Sequence, residues 1–509
     1  MARTSTQSPV NSLYQTQAHR LSSWLQRAFR KLPSLLIAAI GIVLLSNLAA
    51  VPQANGANPV QEGSKQATSS LNYKFFLHYV AKGLPLQPPI FGVESKSLSP
   101  SPSVIKAVEA QARWMRYNAF SWEKIEPVRT EPPTYNWGQV EENRLQNAIA
   151  SGLTIIATVK FTPSWAQKIP GKSCGPIAAE AFDEFAQFMQ ALVQRYGAPP
   201  YNIKYWELGN EVDADWTLAP PDNIYGCWGD KNDPYFGGGY YASMLQVVYP
   251  AIKAADPEAK VLNGGFLLDC DPNNPPSGTD CLSGKFFEGM LRNQGGQYLD
   301  YVSYHSFPVY YLGRVYDEEY PNWSHLGGMV LGKAKFLRQL MQTYGVYRPL
   351  MLTEASLVCP DYNPTECSPP GDMFYQAQAD YVPSLFVRSW AAGISTTIWF
   401  TIEDNNWRAC SLLNSDGFPK PAYDAYHFMT QEIGNARLVG PVVQYPGIQG
   451  YAFYKGTMYI WILWSPNRTN QNITLPGNVL QIYDKYGNPL IPANGQLTVN
   501  SPVYIELMP

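Results

Sequence analysis

Two carboxylates stand out by their positions. Glu211 closes the run YWELGNEVD, directly behind the amide of Asn210 and just after a short apolar segment. Glu354 closes a second short apolar run, PLMLTEAS. Two acids presented at the ends of such runs can flank one bond. One would protonate a departing oxygen while the other stays ionised, which is the chemistry of glycoside cleavage. Their surroundings must then differ. Partial burial and a nearby anion raise the proton donor, whereas a cation and hydrogen bonds keep the partner charged.

The elements that would position them are legible in the hydropathy pattern. Eight short apolar runs recur between residues 88 and 432: PIFGVES, ARWMRYNAF, LTIIATVKF, IKYWELGNE, KVLNGGFLL, LDYVSYHSF, PLMLTEAS and STTIWFTIE. Amphipathic stretches lie between them, among them AFDEFAQFMQALVQRYG and GKAKFLRQLMQTYG, each ending at a glycine placed to stop a helix. Strands alternating with helices predict parallel pairing, and eight such units predict a (β/α)8 barrel. The competing architecture is an open doubly wound sheet. If it bound a nucleotide it would carry a glycine-rich turn after its first strand, and FGVESKS does not. Residues 433–509 change texture to strand-like runs separated by Gly, Pro and Asn, which predicts a small antiparallel β-sandwich domain.

Barrel enzymes keep their functional groups at the C-terminal ends of the strands. Run two therefore offers Arg116 and Asn118, run three Lys160 with Trp165 beyond it, and run four Asn210 and Glu211. Run six offers Tyr304 and His305, run seven Glu354, and run eight Trp399 and Glu403. Strands four and seven nearly face each other across an eight-stranded ring. Arg116 is a candidate cation for the ionised acid, His305 a candidate to orient a carboxylate or bind a sugar hydroxyl, and Asn210 a candidate for the sugar 2-hydroxyl. Taken singly, a strand-end Glu is ordinarily a solvated loop residue, and a lone His or Trp in an apolar run is ordinarily core. Their convergence on one barrel rim carries the reading.

Composition narrows the function classes. A net charge of −3 leaves no electrostatic footprint for nucleic acid. No phosphate-binding glycine loop and no paired-cysteine zinc pattern occurs, so no cofactor and no metal is expected. Residues 1–57 carry Arg3, Arg20, Arg27, Arg30 and Lys31 ahead of an apolar stretch from Leu35 to Val51, with no acidic residue before Glu62. That is the pattern of a signal peptide or of an N-terminal membrane anchor, and either exports the rest of the chain. Residues 58–87 read as a polar tether. The chain is thus expected to be secreted or extracytoplasmic, with membrane attachment if the leader is retained. Seven cysteines fit an oxidising compartment: Cys270 with Cys281, Cys359 with Cys367, Cys174 with Cys227, and Cys410 left over.

At these residues the chain resembles the retaining glycoside hydrolases of clan A, and within it families 39, 5 and 51. Asn-Glu ending strand four and Glu ending strand seven are that group's pattern. The resemblance spans residues 88 to 430 and includes the closing stretch DGFPKPAYDAYHFM. It implies Glu211 as acid/base and Glu354 as nucleophile, and it matches Arg116, His305 and Trp399; with Asn210 and Tyr304 from the strand ends, these are the expected substrate-binding positions. It also implies an oligo- or polysaccharide partner, and an appended β-sandwich recurs in families 39 and 51. One departure concerns the tyrosine often found two residues after the strand-six His, where this chain has Phe307. Tyr304 or Tyr310 is then the candidate for the missing hydroxyl. A retaining mechanism requires the two carboxyl groups about 5–5.5 Å apart, an inverting one up to about 9 Å. A transglycosylase would share every residue named. A non-catalytic carbohydrate-binding protein would turn one Glu away from the cleft. Aromatics in the loops 213–239 and 307–327 could wall that cleft or pack the loops.

Overall fold

The computed structural model describes residues 90–218, 226–360, 370–404 and 407–509. The leader, the tether and Cys367 lie outside these residues. Among the described residues no helix is long and apolar enough to cross a membrane.

Eight parallel strands form one sheet: β1 Phe91–Ser95, β2 Trp114–Ser121, β3 Thr154–Lys160, β4 Tyr205–Leu208, β5 Lys260–Asn263, β6 Val302–Ser306, β7 Leu350–Ala355 and β8 Thr396–Trp399. Each is followed by a helix: α1 Ile105–Glu109, α2 Glu142–Ala150, α3 Phe182–Tyr196, α4 Gly238–Ala255, α5 Lys285–Arg292, α6 Met329–Thr343, α7 Asp372–Ala391 and α8 Pro421–Ile433. The strand order is β5-β4-β3-β2-β1-β8-β7-β6. The predicted (β/α)8 barrel is therefore the fold.

The ring closes between β5 and β6, where only isolated bridges connect the strands, Leu262 to Tyr301 and Phe266 to Tyr304. Asn263 stands in for the missing ladder. Its side-chain amide donates to Ser303 O at 2.8 Å and accepts from Ser303 N–H at 2.8 Å. A side-chain amide offers the same donor and acceptor as a peptide group, so the buried backbone polar atoms stay satisfied.

Amphipathic spacing explains the outer helices. In α3 the buried residues Phe185, Met189, Leu192 and Tyr196 recur every three or four positions, with Asp183 and Glu184 in the first turn and Arg195 in the last. Gly197 caps this helix where the spacing predicts its end, and a Cβ there would strike the Val193 carbonyl.

Inside the barrel, Ile156, Leu262, Met351 and Ile398 pack with Trp114, Tyr205 and Tyr301 into an apolar layer toward the N-terminal ends. Each fully buried aliphatic contributes about 1.5–3 kcal/mol. Above this layer the interior turns polar, and there the site begins.

The residues after α8 form a five-stranded antiparallel sheet containing Arg437–Pro441, Gln449–Lys455, Met458–Trp464, Val479–Asp484 and Val503–Leu507. A two-stranded sheet, Gln471–Thr474 with Gln496–Val499, shares its core, which makes the sandwich. The other face of the larger sheet packs on α7 and α8, with Trp390 against Phe453 and Phe428 against Tyr504. Asp380 on α7 holds Arg468 at 2.8 Å and Lys485 at 2.5 Å.

Disulfides join Cys174 to Cys227 and Cys270 to Cys281, as the spacing suggests. Cys359 is disulfide-bonded, and Cys410 is buried outside the two described bridges.

Candidate active site

Arg116 is the hub of the polar layer. It lies on β2 in register with Glu94 on β1 and faces the barrel interior. Its Nη1 donates to Glu94 Oε2 at 2.6 Å and to Glu354 Oε1. Its Nε donates to Glu207 Oε2 at 2.6 Å, and its Nη2 to Asn210 Oδ1 at 2.6 Å. Thr158 also donates to Glu207, at 3.1 Å. One planar guanidinium thus ties strands one, two, four and seven together, which its fixed fork of donors allows.

Glu211 sits on the turn after β4. Gly209 and Glu211 are both left-handed, at φ 98° and 49°. This turn is held from the β5 side: Glu211 N–H donates to Gly265 O at 3.1 Å and Val212 N–H to Gly264 O at 3.3 Å. His305, on β6, places its Nδ1 3.1 Å from Glu211 Oε1 and 3.5 Å from Glu354 Oε2. One ligand-type atom from each of Glu211, His305 and Glu354 lies within 4.8 Å of the others.

Exposure separates the groups a ligand can reach from those that support them. Arg116, Glu207 and His305 are 0% exposed, whereas Asn210 and Glu211 keep 5% and Glu354 keeps 6%. Around them stand Lys160 at the end of β3 and three aromatics in edge-to-face contact, Phe307, Phe400 and Trp407, with ring centroids 5.0–5.6 Å apart. All four are half-buried.

The electrostatics are dominated by burial. Burial, reinforced by Asp213, pushes Glu211 up to about 8 against the pull of Arg116, Lys160 and Lys333. Burial also pushes Asp213 up to about 7, although the Leu267 and Leu268 N–H groups donate to it at 2.8 and 2.9 Å. Glu354 is raised by burial and by Glu94, while Arg116 pulls it back. Burial and the neighbouring cations hold the His305 imidazole well below its ordinary range, so the ring is neutral. Burial lowers Lys160 and Lys333 to about 8.

Glu211, His305 and Glu354 are close enough together to offer three ligands to a metal ion. The donor chemistry argues for a different use. Arg116 already donates to the Glu354 oxygen nearest to it and supplies the compensating positive charge. A divalent ion would add its charge beside that guanidinium and be repelled by it.

The structure brings Arg116, Asn210, Glu211, His305 and Glu354 together and leaves two expected residues out. Tyr304 points away from the barrel axis: it is fully buried, and its hydroxyl donates to Val330 O at 3.0 Å. Successive strand residues face opposite sides, so with His305 inward Tyr304 must face the helices. Trp399 is also fully buried, with its indole N–H donating to Cys410 O at 2.9 Å. Neither offers a surface to a ligand. Phe400 and Trp407, by contrast, are half-buried and in ring contact with Phe307. Tyr310, the other candidate for the hydroxyl absent at Phe307, is buried against Phe374.

Sequence reasoning passed over Glu94 and Glu207, which share the Arg116 charge, and Asp213 and Lys333 behind the site. The signal for the first two was an acid within an apolar strand run, a residue that must be paired if it faces inward. Among the loop aromatics, Trp228 and Trp323 are buried packing residues.

No family model and no curated protein matches the chain. Solved structures do. A family 39 glycoside hydrolase from Bacteroides cellulosilyticus aligns over 83% of this chain and 81% of its own, at 17% identity and a TM-score of 0.61. A family 39 β-xylosidase from Caulobacter crescentus aligns over 84% and 98%, at 17% identity and 0.53. A family 30 endoxylanase from Clostridium papyrosolvens aligns over 84% and 98%, at 12% identity and 0.54. At these identities the likeness is one of fold.

Proposed function

We propose that the protein is a retaining glycoside hydrolase that cleaves O-glycosidic bonds of oligo- or polysaccharides by double displacement. The observation that carries this reading is the convergence of Glu211 and Glu354. Their carboxyl oxygens lie within 4.8 Å of each other, they are the acids that reach the solvent side of the polar layer, and a guanidinium contacts only one of them. So short an approach supports attack by Glu354 itself over attack by a water held between Glu354 and the sugar. Both acids facing inward also disfavours a protein that only binds carbohydrate.

The acids of the layer outnumber its cations, so they share protons. Direct contact with Arg116 assigns the negative charge to Glu354. Glu211 lacks such a contact, lies beside Asp213 and keeps its proton. Glu354 attacks the anomeric carbon as Glu211 protonates the leaving oxygen, giving a glycosyl ester. Glu211, now a carboxylate, takes a proton from water, which hydrolyses the ester with retained configuration. Asn210 Oδ1 is occupied by Arg116, so its N–H groups remain for a sugar hydroxyl.

Two of the similar structures are those of a β-xylosidase and an endoxylanase, which makes β-xylosides the first candidates. Hydrolysis of a chromogenic glycoside panel, with the first-formed anomer read by proton NMR, tests the proposal. A retained anomer is the expected product; an inverted one would sink the double displacement. An added alcohol distinguishes a transglycosylase, whose main product would be the alkyl glycoside.

The same assignment sets the pH dependence. Turnover requires protonated Glu211, and its proton is held until about pH 8. The kcat/KM profile should therefore stay high through neutral pH and fall with an alkaline limb near 8. A fall centred near the ordinary carboxylate range would contradict Glu211 as the acid.

We also place the protein outside the cytoplasm. The basic-then-apolar leader and the two described disulfides support this.

A further inference from the structure

We propose that Gly265 and His305 form a positioning pair for the Glu211 carboxyl: the bare Cα of Gly265 admits the imidazole, whose Nδ1–H occupies one oxygen of Glu211 and leaves the other for the bond to be cleaved. This deepens the glycosidase reading and rests on Glu211 being its acid.

The geometry of the ring carries the argument. His305 is fully buried on β6, and its two nitrogens meet opposite surroundings. Nδ1 faces two carboxyl oxygens, at 3.1 Å on Glu211 and 3.5 Å on Glu354. Nε2 is buried with no hydrogen-bond partner. The ring edge that carries it lies against Gly265, where a Cβ would land inside the contact radius of Nε2, Cδ2 and Cε1.

These surroundings choose the tautomer. A proton on Nε2 would bury an unsatisfied N–H, at a cost of about 1–3 kcal/mol. It would also aim the Nδ1 lone pair at the Glu354 carboxylate. A proton on Nδ1 satisfies a carboxyl oxygen and leaves only a lone pair unmet. The Glu211 oxygen that accepts this N–H, Oε1, is then unavailable as the protonated one. The transferable proton is confined to Oε2.

Gly265 acts twice on the same residue. Its carbonyl accepts the Glu211 N–H at 3.1 Å, and its missing side chain makes room for the imidazole that sets the carboxyl. It is not among the left-handed glycines, so space rather than backbone conformation excludes a side chain there. Lys333 holds the histidine from behind, donating to His305 O at 2.9 Å.

The test compares Gly265→Ala, His305→Ala and the double variant in the full-length protein. Two substrates of the same sugar are used. One has an alkyl leaving group that must be protonated; the other has a dinitrophenolate leaving group that need not be. Gly265→Ala should lower kcat on the alkyl glycoside on the order of 100-fold, the scale of general-acid catalysis, with little change on the dinitrophenyl glycoside. In the His305→Ala background the Gly265 substitution should have no further effect, because the clash has lost its target. Equal losses on both substrates, or additive losses in the double variant, would overturn the positioning role. If Gly265→Ala does not fold, His305→Ala still reports the leaving-group split. The imidazole nitrogen NMR shifts of the wild-type protein report whether Nδ1 or Nε2 is protonated. A proton on Nε2 would overturn the proposal whatever the activity. A wild-type protein that cleaves neither substrate overturns the glycosidase reading itself, an outcome distinct from a wild-type enzyme whose variants lose both substrates alike.

Discussion

Glu354→Ala should lower hydrolysis on the order of 10^5-fold, about 7 kcal/mol of barrier, while the protein still folds. In the proposed mechanism this carboxylate forms the covalent bond, and no neighbour can replace it. Glu207 and Glu94 are closest in charge, but both are engaged by Arg116 at 2.6 Å within the barrel. The fold should tolerate the change because Arg116 keeps these two carboxylates as partners, and one buried acid of a crowded group is removed. The variant also opens space at the anomeric carbon. Added azide should restore turnover on a substrate with an activated leaving group and give the glycosyl azide of inverted configuration. Rate constants with and without azide, with the product anomer assigned by NMR, decide the matter. Wild-type activity in Glu354→Ala would refute its role outright.

The second large effect concerns stability. Arg116→Met should destabilise the protein by about 3–5 kcal/mol, the scale of breaking a buried ion pair by removing one partner. Glu94, Glu207 and Glu354 would be left facing each other in a layer where Arg116 and Glu207 are 0% exposed. Burial would lower the guanidinium by itself, yet the three acids raise it above its ordinary value, so the group is charged in the native protein. Without it the acids would take up protons on folding. Their folded-state pKa values would then exceed the unfolded ones. A folded state that binds more protons is favoured by acid, so the deficit should shrink as pH falls from 7 toward 5. Denaturant midpoints at the two pH values measure this. An unchanged midpoint at pH 7 would mean that Arg116 is not the hub its contacts describe. Arg116→Lys should recover only part of the loss, since an ammonium cannot span four partners on three strands and a turn. Activity should fall in both variants, because a protonated Glu354 is no nucleophile.

Some of this was legible in the residues alone. The eight apolar runs, the β-rich C-terminal segment and the acids at runs four and seven are local patterns, and local patterns follow from backbone geometry. Glu211, Glu354, Arg116, Asn210 and His305 could be named because strand ends in a barrel share one rim. Tyr304 and Trp399 were named for the same reason and do not reach the pocket. Alternation admits one of each neighbouring pair, and the extra residue that shifts both neighbouring ladders lies on β7, after Leu352 and just before or at Glu354. A bulge changes which residue faces inward, and no composition or spacing marks where one falls.

Sequence by itself determined that this chain builds parallel strands with crossover helices and delivers two carboxylates to one end of them. That much depends on periodicity and on turn residues, which act over a few positions. Only the closed barrel supplied the unlike surroundings by which the proposed mechanism tells the two acids apart. That difference comes from Arg116 touching Glu354, from Asp213 lying behind Glu211, and from a histidine seated against a glycine. These are contacts between residues far apart in the chain, and their strength depends on the burial that ring closure creates.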